Sequence, residues 1–335
     1  MGLMNKQEVM QAVIVRNFGS ADEMVLGSVP KPQLSKNEIL VKVEATALNR
    51  ADILQREGKY PPPKGASPIM GLELAGKVVE LGDNADKWNI GDRVFGLLPG
   101  GGYAEYALIH QDMALPVPEG MSTVEAAAIP EVFLTAFQAL RWLGKLKKND
   151  TVLIHAGASG VGTAAIQLAN LMGADILVTA SEPKHNACLK LGADHAIDYK
   201  KGPFKDKILD MTDGAGVDLI IDFIAGPYFN QNISCLKQDG RLVILATLGG
   251  GKTEECDLRK ILVKRLTVMG STLRSRDRDY QIRLTKDFAD FAIPLFKNGS
   301  LKPVIDKVFT WDKVVDAHKY MEANKNIGKI VLKRV

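Results

Sequence analysis

Residues 151–168, TVLIHAGASGVGTAAIQL, read as a buried strand, a glycine-rich turn and a helix, and no other stretch constrains the fold as much. That order of elements makes a phosphate cradle. Gly157 and Gly160 supply a tight turn and Gly162 lets helix and strand approach closely. The helix N-terminus that follows can hold a pyrophosphate through free backbone N–H groups. A dinucleotide is the expected ligand. Ser159 stands at the middle glycine of a G-x-G-x-x-G pattern, and such turns also occur in proteins that bind nothing. The next strand therefore carries weight. Residues 174–180, ADILVTA, are apolar, and the cofactor's ribose should lie at their end. There the chain offers Ser181, Glu182, Pro183, Lys184 and His185. Ser181 and Lys184 suit a 2'-phosphate, whereas Glu182 turned inward would serve the 2'-hydroxyl of NAD. On charge and size the expected cofactor is NADPH.

The rhythm of the chain changes along its length. From residue 11 to about 129, the runs QAVIV, EILVKVEATAL, LELAGKVVELG, DRVFGLL and GYAEYALI are separated by glycine and proline turns, which predicts a β-rich domain with little helix. From 151 to about 273, VLIHA, DILVTA, HAIDY, VDLIIDFI, RLVILA and LTVMGS alternate with helical segments, the pattern of a parallel sheet covered on both faces. The tail predicts an amphipathic helix over 279–297, a strand over 305–310, a helix over 313–324 and a last strand, KIVLKRV. A strand so late in the chain should close back on the first domain. The expected organisation is α/β, with residues 1–133 and 275–335 forming one discontinuous domain and 134–274 an inserted doubly wound parallel sheet.

Composition removes several function classes. A chain of 335 residues favours two domains over one core. Cys188, Cys235 and Cys256 are odd in number and far apart, which gives neither a disulfide framework nor a metal knuckle and fits a reducing compartment. A formal charge of +4, dispersed along the chain, does not argue for nucleic acid. No apolar run approaches the roughly 18 residues of a membrane span. Residues 1–10 lack the apolar core of a signal peptide, and Glu8 counts against a transit peptide. The expected location is the cytoplasm.

The motifs ALNRADILQREGKYPPP, IMGLELAGKVVELG, WNIGDRVFGLLPGGGYAEY, AAAIPEVFLTAFQAL, IHAGASGVGTAAIQLA, STLRSR and AHKYMEANKNIGKIVL span nearly the whole chain. By them the sequence resembles the medium-chain dehydrogenase/reductase superfamily, in its zinc-free quinone oxidoreductase branch. The resemblance implies a GroES-like catalytic domain carrying an inserted Rossmann-type domain. In zinc alcohol dehydrogenases the two metal-binding motifs offer a cysteine and a histidine. Here those positions hold Asn49 and Leu72, which supply neither thiolate nor imidazole. No metal is expected, and without a Lewis acid the favoured acceptor is one electron-poor enough to take hydride directly.

The resemblance also implies site residues. Asn49, Asp52 and Tyr60 line the substrate side of an interdomain cleft, where Asn49 bonds the acceptor oxygen or the nicotinamide ribose and Tyr60 stacks on a flat ring or donates to its carbonyl. The plain alternatives are a helix cap for Asn49, a hold on Arg50 or a backbone N–H for Asp52, and a loop anchor for Tyr60. Thr135 lies beside the nicotinamide, unless its hydroxyl simply bonds its own helix. Ser159, Gly160 and Val161 face the pyrophosphate, and Ser181, Lys184 and Tyr199 flank the 2'-phosphate. Leu245, Ala246, Leu248 and Gly249 pass near the nicotinamide, Gly270, Ser271 and Leu273 line its other side, and Asn326 makes a late contact to the cofactor. Arg274 and Arg276 close the substrate pocket or form surface salt bridges.

The expected activity is hydride transfer from NADPH to a quinone, achieved by positioning rather than acid–base power. Reduction of alkenals or enoyl thioesters is the second reading. A non-catalytic NADPH-binding redox sensor, lens-type structural protein or RNA-binding protein is the third. The resemblance also points to a homodimer, with the RLVILATLG region as the expected edge contact.

Overall fold

The computed structural model describes residues 8–254 and 256–334. Residues 1–7, on which the expectation about targeting segments bears, and Val335, the last residue of the KIVLKRV run, lie outside the described residues. The chain divides into two compact units: the described residues of Met1–Glu131 with Arg274–Val335, and Val132–Leu273. Among the described residues no helix is long and apolar enough to cross a membrane.

The first unit is built from strands β1 (Val9–Val15), β2 (Met24–Pro30), β3 (Glu38–Ala47), β4 (Glu73–Leu81), β5 (Arg93–Leu97), β6 (Tyr106–His110) and β7 (Ala114–Pro116). β1 and β2 form an antiparallel pair. β3 is the hub of the larger sheet, and its apolar residues Ile39, Leu40, Val41 and Val43 are buried. A short helix, Arg50–Arg56, follows β3 directly. The GYAEYALI run does not form one strand. Gly102 and Tyr103 curl back so that their N–H groups donate to Gly71 and Met70, and pairing with β3 begins only at Tyr106.

The second unit holds β8 (Thr151–Ile154), β9 (Asp175–Ala180), β10 (His195–Asp198), β11 (Val217–Asp222), β12 (Leu236–Ile244) and β13 (Thr267–Gly270) in one parallel sheet of order β10-β9-β8-β11-β12-β13. The six apolar runs of the sequence become these six strands. β8, β9 and β11, in the middle of the sheet, are buried on both faces and read as continuous hydrophobic segments, whereas the outer strand β13 is largely exposed. Strand order reverses between β8 and β11, the point at which open α/β sheets leave a crevice for ligands.

The chain then returns to the first unit through a helix, Arg278–Lys297, strand β14 (Ile305–Thr310), a helix, Val314–Glu322, and β15 (Lys329–Lys333). β15 pairs antiparallel with β3, which completes a seven-stranded sheet. The architecture is thus a GroES-like β-rich unit with a Rossmann-type parallel-sheet unit inserted between its two parts. One expectation is corrected. The RLVILATLG strand is not a sheet edge, because β12 is hydrogen-bonded to β11 on one side and β13 on the other; the outer strand is β13.

Candidate active site

In the parallel-sheet unit the strand register aligns Ile154 with Val178, Ala180 with Asp198, and Asp222 with Ile244, so the carboxyl ends share one edge. Nearly all the sequence-predicted nucleotide residues of this unit follow that edge. Ser159, Gly160 and Val161 come after β8, Ser181 and Lys184 after β9, and Tyr199 after β10. Leu245, Ala246, Leu248 and Gly249 follow β12, while Gly270 ends β13 and Ser271 and Leu273 lie just past it.

The glycine turn works differently from the expectation. Neither Gly157 nor Gly160 has a positive φ; the left-handed residue is Ala156, at 49°. Gly157 is needed for space, since a Cβ there would stand 2.7 Å from the Cβ of Val178. Gly162 meets backbone instead: its Cβ would lie 2.6 Å from the Gly157 carbonyl oxygen and nearer still to that of Ala156. Ser159 caps the helix Gly160–Leu171, its hydroxyl accepting from the Gly162 N–H at 3.0 Å. The N–H groups of Gly160 and Val161, one and two residues into the helix, have no intrahelical acceptor by geometry.

Two further observations bear on a nucleotide. Thr135 Oγ1, in the helix Pro130–Phe137, is buried and has no hydrogen-bond partner, so the bond to its own helix is not made. Glu182 is turned outward, 63% exposed, and pairs with Lys201 at 2.8 Å. It does not serve as an inward-facing ribose acceptor.

Below the turn lies a network that periodicity does not announce. His155 is fully buried; its Nδ1 meets Thr179 Oγ1 at 2.9 Å and its Nε2 meets Asn232 Oδ1 at 2.8 Å. Asn232 donates onward to Asp222, whose other carboxylate oxygen accepts the Ile224 N–H at 2.7 Å. An amide oxygen only accepts, so Nε2 carries the imidazole proton and the Thr179 hydroxyl donates to Nδ1. The available signal was a histidine and an aspartate at the ends of otherwise apolar strands.

In the first unit, Asn49 and Asp52 are adjacent and both buried. Asn49 stands at the start of the helix Arg50–Arg56, and Asp52 reaches back to accept its N–H at 2.8 Å. Asp52 also accepts the Gly71 N–H at 3.1 Å and the Tyr103 hydroxyl at 3.4 Å. Burial pushes its carboxyl up to about 6 against the pull of those two backbone donors. Behind Tyr103 lies His318, pushed down to about 3 by burial and by the Arg56 guanidinium. Arg56 can only donate, so His318 accepts at Nδ1 and donates from Nε2 to Tyr103, leaving the tyrosine to donate to Asp52. Asp52 is thus a bracket between Asn49 and Gly71.

The Asn49 side chain is as fully engaged. Its Nδ2 donates to Glu73 Oε1 at 2.8 Å and to the Ala47 carbonyl at 3.3 Å. Both amide hydrogens are used, so a bond from Asn49 to the oxygen of an acceptor has no donor left, and what remains is accepting capacity at Oδ1. Glu73 also receives the Glu131 N–H at 2.9 Å, and burial next to Glu73 raises the Glu131 carboxyl to about 7. Asn326 belongs to this unit as well, its amide donating to the Gly328 carbonyl.

Tyr60 lies just past the same helix, its N–H on the Leu54 carbonyl, and its ring carries the Arg274 guanidinium 5.1 Å from its centre. Arg274 is only 8% exposed. Nε donates to the Pro99 carbonyl and Nη2 to Gln55 Oε1, both at 2.8 Å, while Nη1 is buried with no partner. Burial lowers the guanidinium's pKa, the direction expected of a desolvated cation. The surface salt bridge that would have explained Arg274 is not formed. Among the described residues no group of three or more His, Cys, Asp or Glu is arranged to hold a metal.

Comparison with known proteins agrees with this architecture. The alcohol dehydrogenase GroES-like domain family matches residues 35–119 and the zinc-binding dehydrogenase family matches residues 160–291. Human quinone oxidoreductase is 32% identical over 339 residues, covering 97% of this chain and 98% of that protein. A quinone oxidoreductase structure from Coxiella burnetii superposes with a TM-score of 0.80 at 32% identity, over 97% of this chain and 99% of that one. The chain belongs to the quinone oxidoreductase branch of the medium-chain dehydrogenase/reductase superfamily. It is also 34% identical to the phenolphthiocerol synthesis polyketide synthase Pks15/1 of Mycobacterium marinum over 94% of its own length, but spans 14% of that much longer protein.

Proposed function

We propose that the chain is an NADPH-dependent quinone reductase that needs no metal ion. The observation that carries this reading is Arg274 Nη1, a buried cationic N–H without a partner beside the flat ring of Tyr60. A buried donor left unpaired costs about 1–3 kcal/mol, more when charged, and such groups call for an explanation. A ligand oxygen is the simplest partner. Reduction of a quinone places negative charge on its oxygen, and a fixed guanidinium N–H stabilises that charge without reorganisation. Arg274 thereby supplies what a Lewis acid would, in a chain whose metal-ligand positions are Asn49 and Leu72. Tyr60 offers the stacking face, and Asp52 acts by holding Asn49.

For the nucleotide, the first-turn N–H groups of Gly160 and Val161 and the unpartnered Thr135 hydroxyl fit the pyrophosphate and the nicotinamide carboxamide. Bound nicotinamide would supply the hydride. Ser181, Lys184 and Tyr199 are read as the 2'-phosphate site, a reading favoured by the outward pairing of Glu182 with Lys201.

Initial rates of NADPH and NADH oxidation with ortho-quinones, para-quinones, an alkenal and an enoyl thioester test this. NADPH-selective turnover with quinones fastest is expected; tight NADPH binding with no turnover would overturn the reductase reading. Lys184→Ala is expected to raise KM for NADPH about tenfold, the worth of about 1.4 kcal/mol for one bond to a phosphate, with little change for NADH. Equal effects on both nucleotides would remove Lys184 from the phosphate site. Dialysis against a chelator is expected to leave the quinone rate unchanged; a loss restored by zinc would refute metal independence.

A further inference from the structure

Lys329 has no place in the chemistry above, yet it is among the more costly residues to bury. It lies on β15 with 2% exposure, and all three ammonium hydrogens are spent. They go to the Leu48 carbonyl at 2.8 Å, Asn49 Oδ1 at 2.7 Å and Glu73 Oε1 at 2.7 Å. The ammonium sits in a cage of three oxygens and has nothing left to give a ligand. Taking such an ion pair out of water costs several kcal/mol per ion, and a well-packed apolar pair is often as stable. Stability alone is a weak reason for it to be there.

The cage decides how the Asn49 amide points. A lysine only donates and an ionised carboxylate only accepts. Oδ1 must therefore face Lys329 and Nδ2 must face Glu73. Turning the amide by half a rotation would set NH₂ against ammonium and oxygen against carboxylate, two repulsions in a buried place. With both amide hydrogens committed, Asn49 is presented to any ligand purely as an acceptor, through the remaining lone pair of Oδ1.

We propose that Lys329 is a positioning residue, a resident cation that fixes Asn49 as a hydrogen-bond acceptor for a ligand hydroxyl. This rests on the reading of the chain as an NADPH:quinone reductase, in which the hydroxyl belongs either to the nucleotide ribose or to the quinol. The two sources are separated by measuring NADPH affinity by fluorescence titration alongside kcat and KM for the quinone.

The test is a coupling experiment. Lys329→Met with Glu73→Gln removes both charges together, so neither is left buried alone. This neutral pair is compared with Asn49→Ala and with the three changes combined, and thermal unfolding is followed for each. The expected result is a folded neutral pair in which the dissociation constant for NADPH, or the KM for quinone, rises about tenfold, the scale of one hydrogen bond. In the Asn49→Ala background the same pair should change neither by more than about twofold, because its effect runs through Asn49. A folded neutral pair with unchanged affinity and kcat/KM would overturn the proposal, and so would full additivity with Asn49→Ala. If the neutral pair does not fold, a crystal structure of the native chain with NADPH and one with a hydroquinone decide. A ligand hydroxyl on Asn49 Oδ1 supports the assignment; a ligand carbonyl on Nδ2, or no contact in either complex, refutes it. Absence of quinone turnover in the native chain would sink the reductase reading but leave the NADPH titration to judge Lys329.

Discussion

Arg274→Met is expected to lower kcat/KM for quinones by about a hundredfold while changing the affinity for NADPH little. Removing one fixed donor to a developing oxyanion typically costs about 2.7–4 kcal/mol, or roughly two to three powers of ten in rate. Methionine keeps much of the apolar length against the Tyr60 ring but loses the donors to Pro99, to Gln55 and from Nη1. Gln55 keeps its other bond, from Nε2 to the Pro68 carbonyl, so the helix it stands on retains an anchor. Arg274→Lys preserves a charge but not the planar fork, and a single nitrogen does not reproduce the separate positions from which Nε, Nη2 and Nη1 point. The lysine variant should therefore remain well below the native rate. Steady-state kinetics with a para-quinone, with thermal unfolding as the control, measure both. A folded Arg274→Met protein with native kcat/KM would show that Nη1 meets no charge in the transition state.

What the sequence disclosed of this molecule follows from the range of the interactions concerned. The parallel sheet was legible because β8, β9 and β11 are continuous apolar runs, and a strand buried on both faces has no polar beat to obscure it. β2, with the sequence MVLGSVP, and the three-residue β7 lack such a signal, and pairing with partners makes them strands. The curl at Gly102 and Tyr103 depends on Met70 and Gly71, some thirty residues away along the chain.

Site chemistry could be read from the sequence only as far as residue type limits it, since Asn49 and Leu72 supply neither thiolate nor imidazole. It was not legible where meaning comes from pairing. Nothing near Lys329 in sequence announces that it will share oxygens with Leu48, Asn49 and Glu73, and nothing near His318 announces Tyr103 and Arg56. The Lys329 contacts exist because β15 returns to pair with β3, and His318 arrives on the helix Val314–Glu322 that precedes that strand.

The glycine turn offers the second large effect and separates two kinds of crowding. Gly162→Val is expected to weaken NADPH binding by about a hundredfold or more and to destabilise the fold by about 1–3 kcal/mol, the usual range for overpacking. Its Cβ would press on the carbonyl oxygens of Ala156 and Gly157, which belong to the backbone of the turn itself. Relief requires the helix Gly160–Leu171 to move off β8, and the first-turn N–H groups of Gly160 and Val161 move with it. No change in a neighbouring side chain can restore the geometry. Gly157→Ala meets a different obstacle, the Cβ and Cγ1 of Val178 at 2.7 and 3.0 Å. Trimming that neighbour to glycine removes the Cβ and Cγ1 contacts outright. Gly157→Ala with Val178→Gly should therefore recover much of the NADPH affinity lost by Gly157→Ala alone, whereas Gly162→Val with the same Val178→Gly change should recover none. Fluorescence titration of NADPH against the four variants decides the matter. Recovery in both pairs would mean that the turn tolerates displacement of its helix, and that the first-turn N–H groups are not what holds the nucleotide.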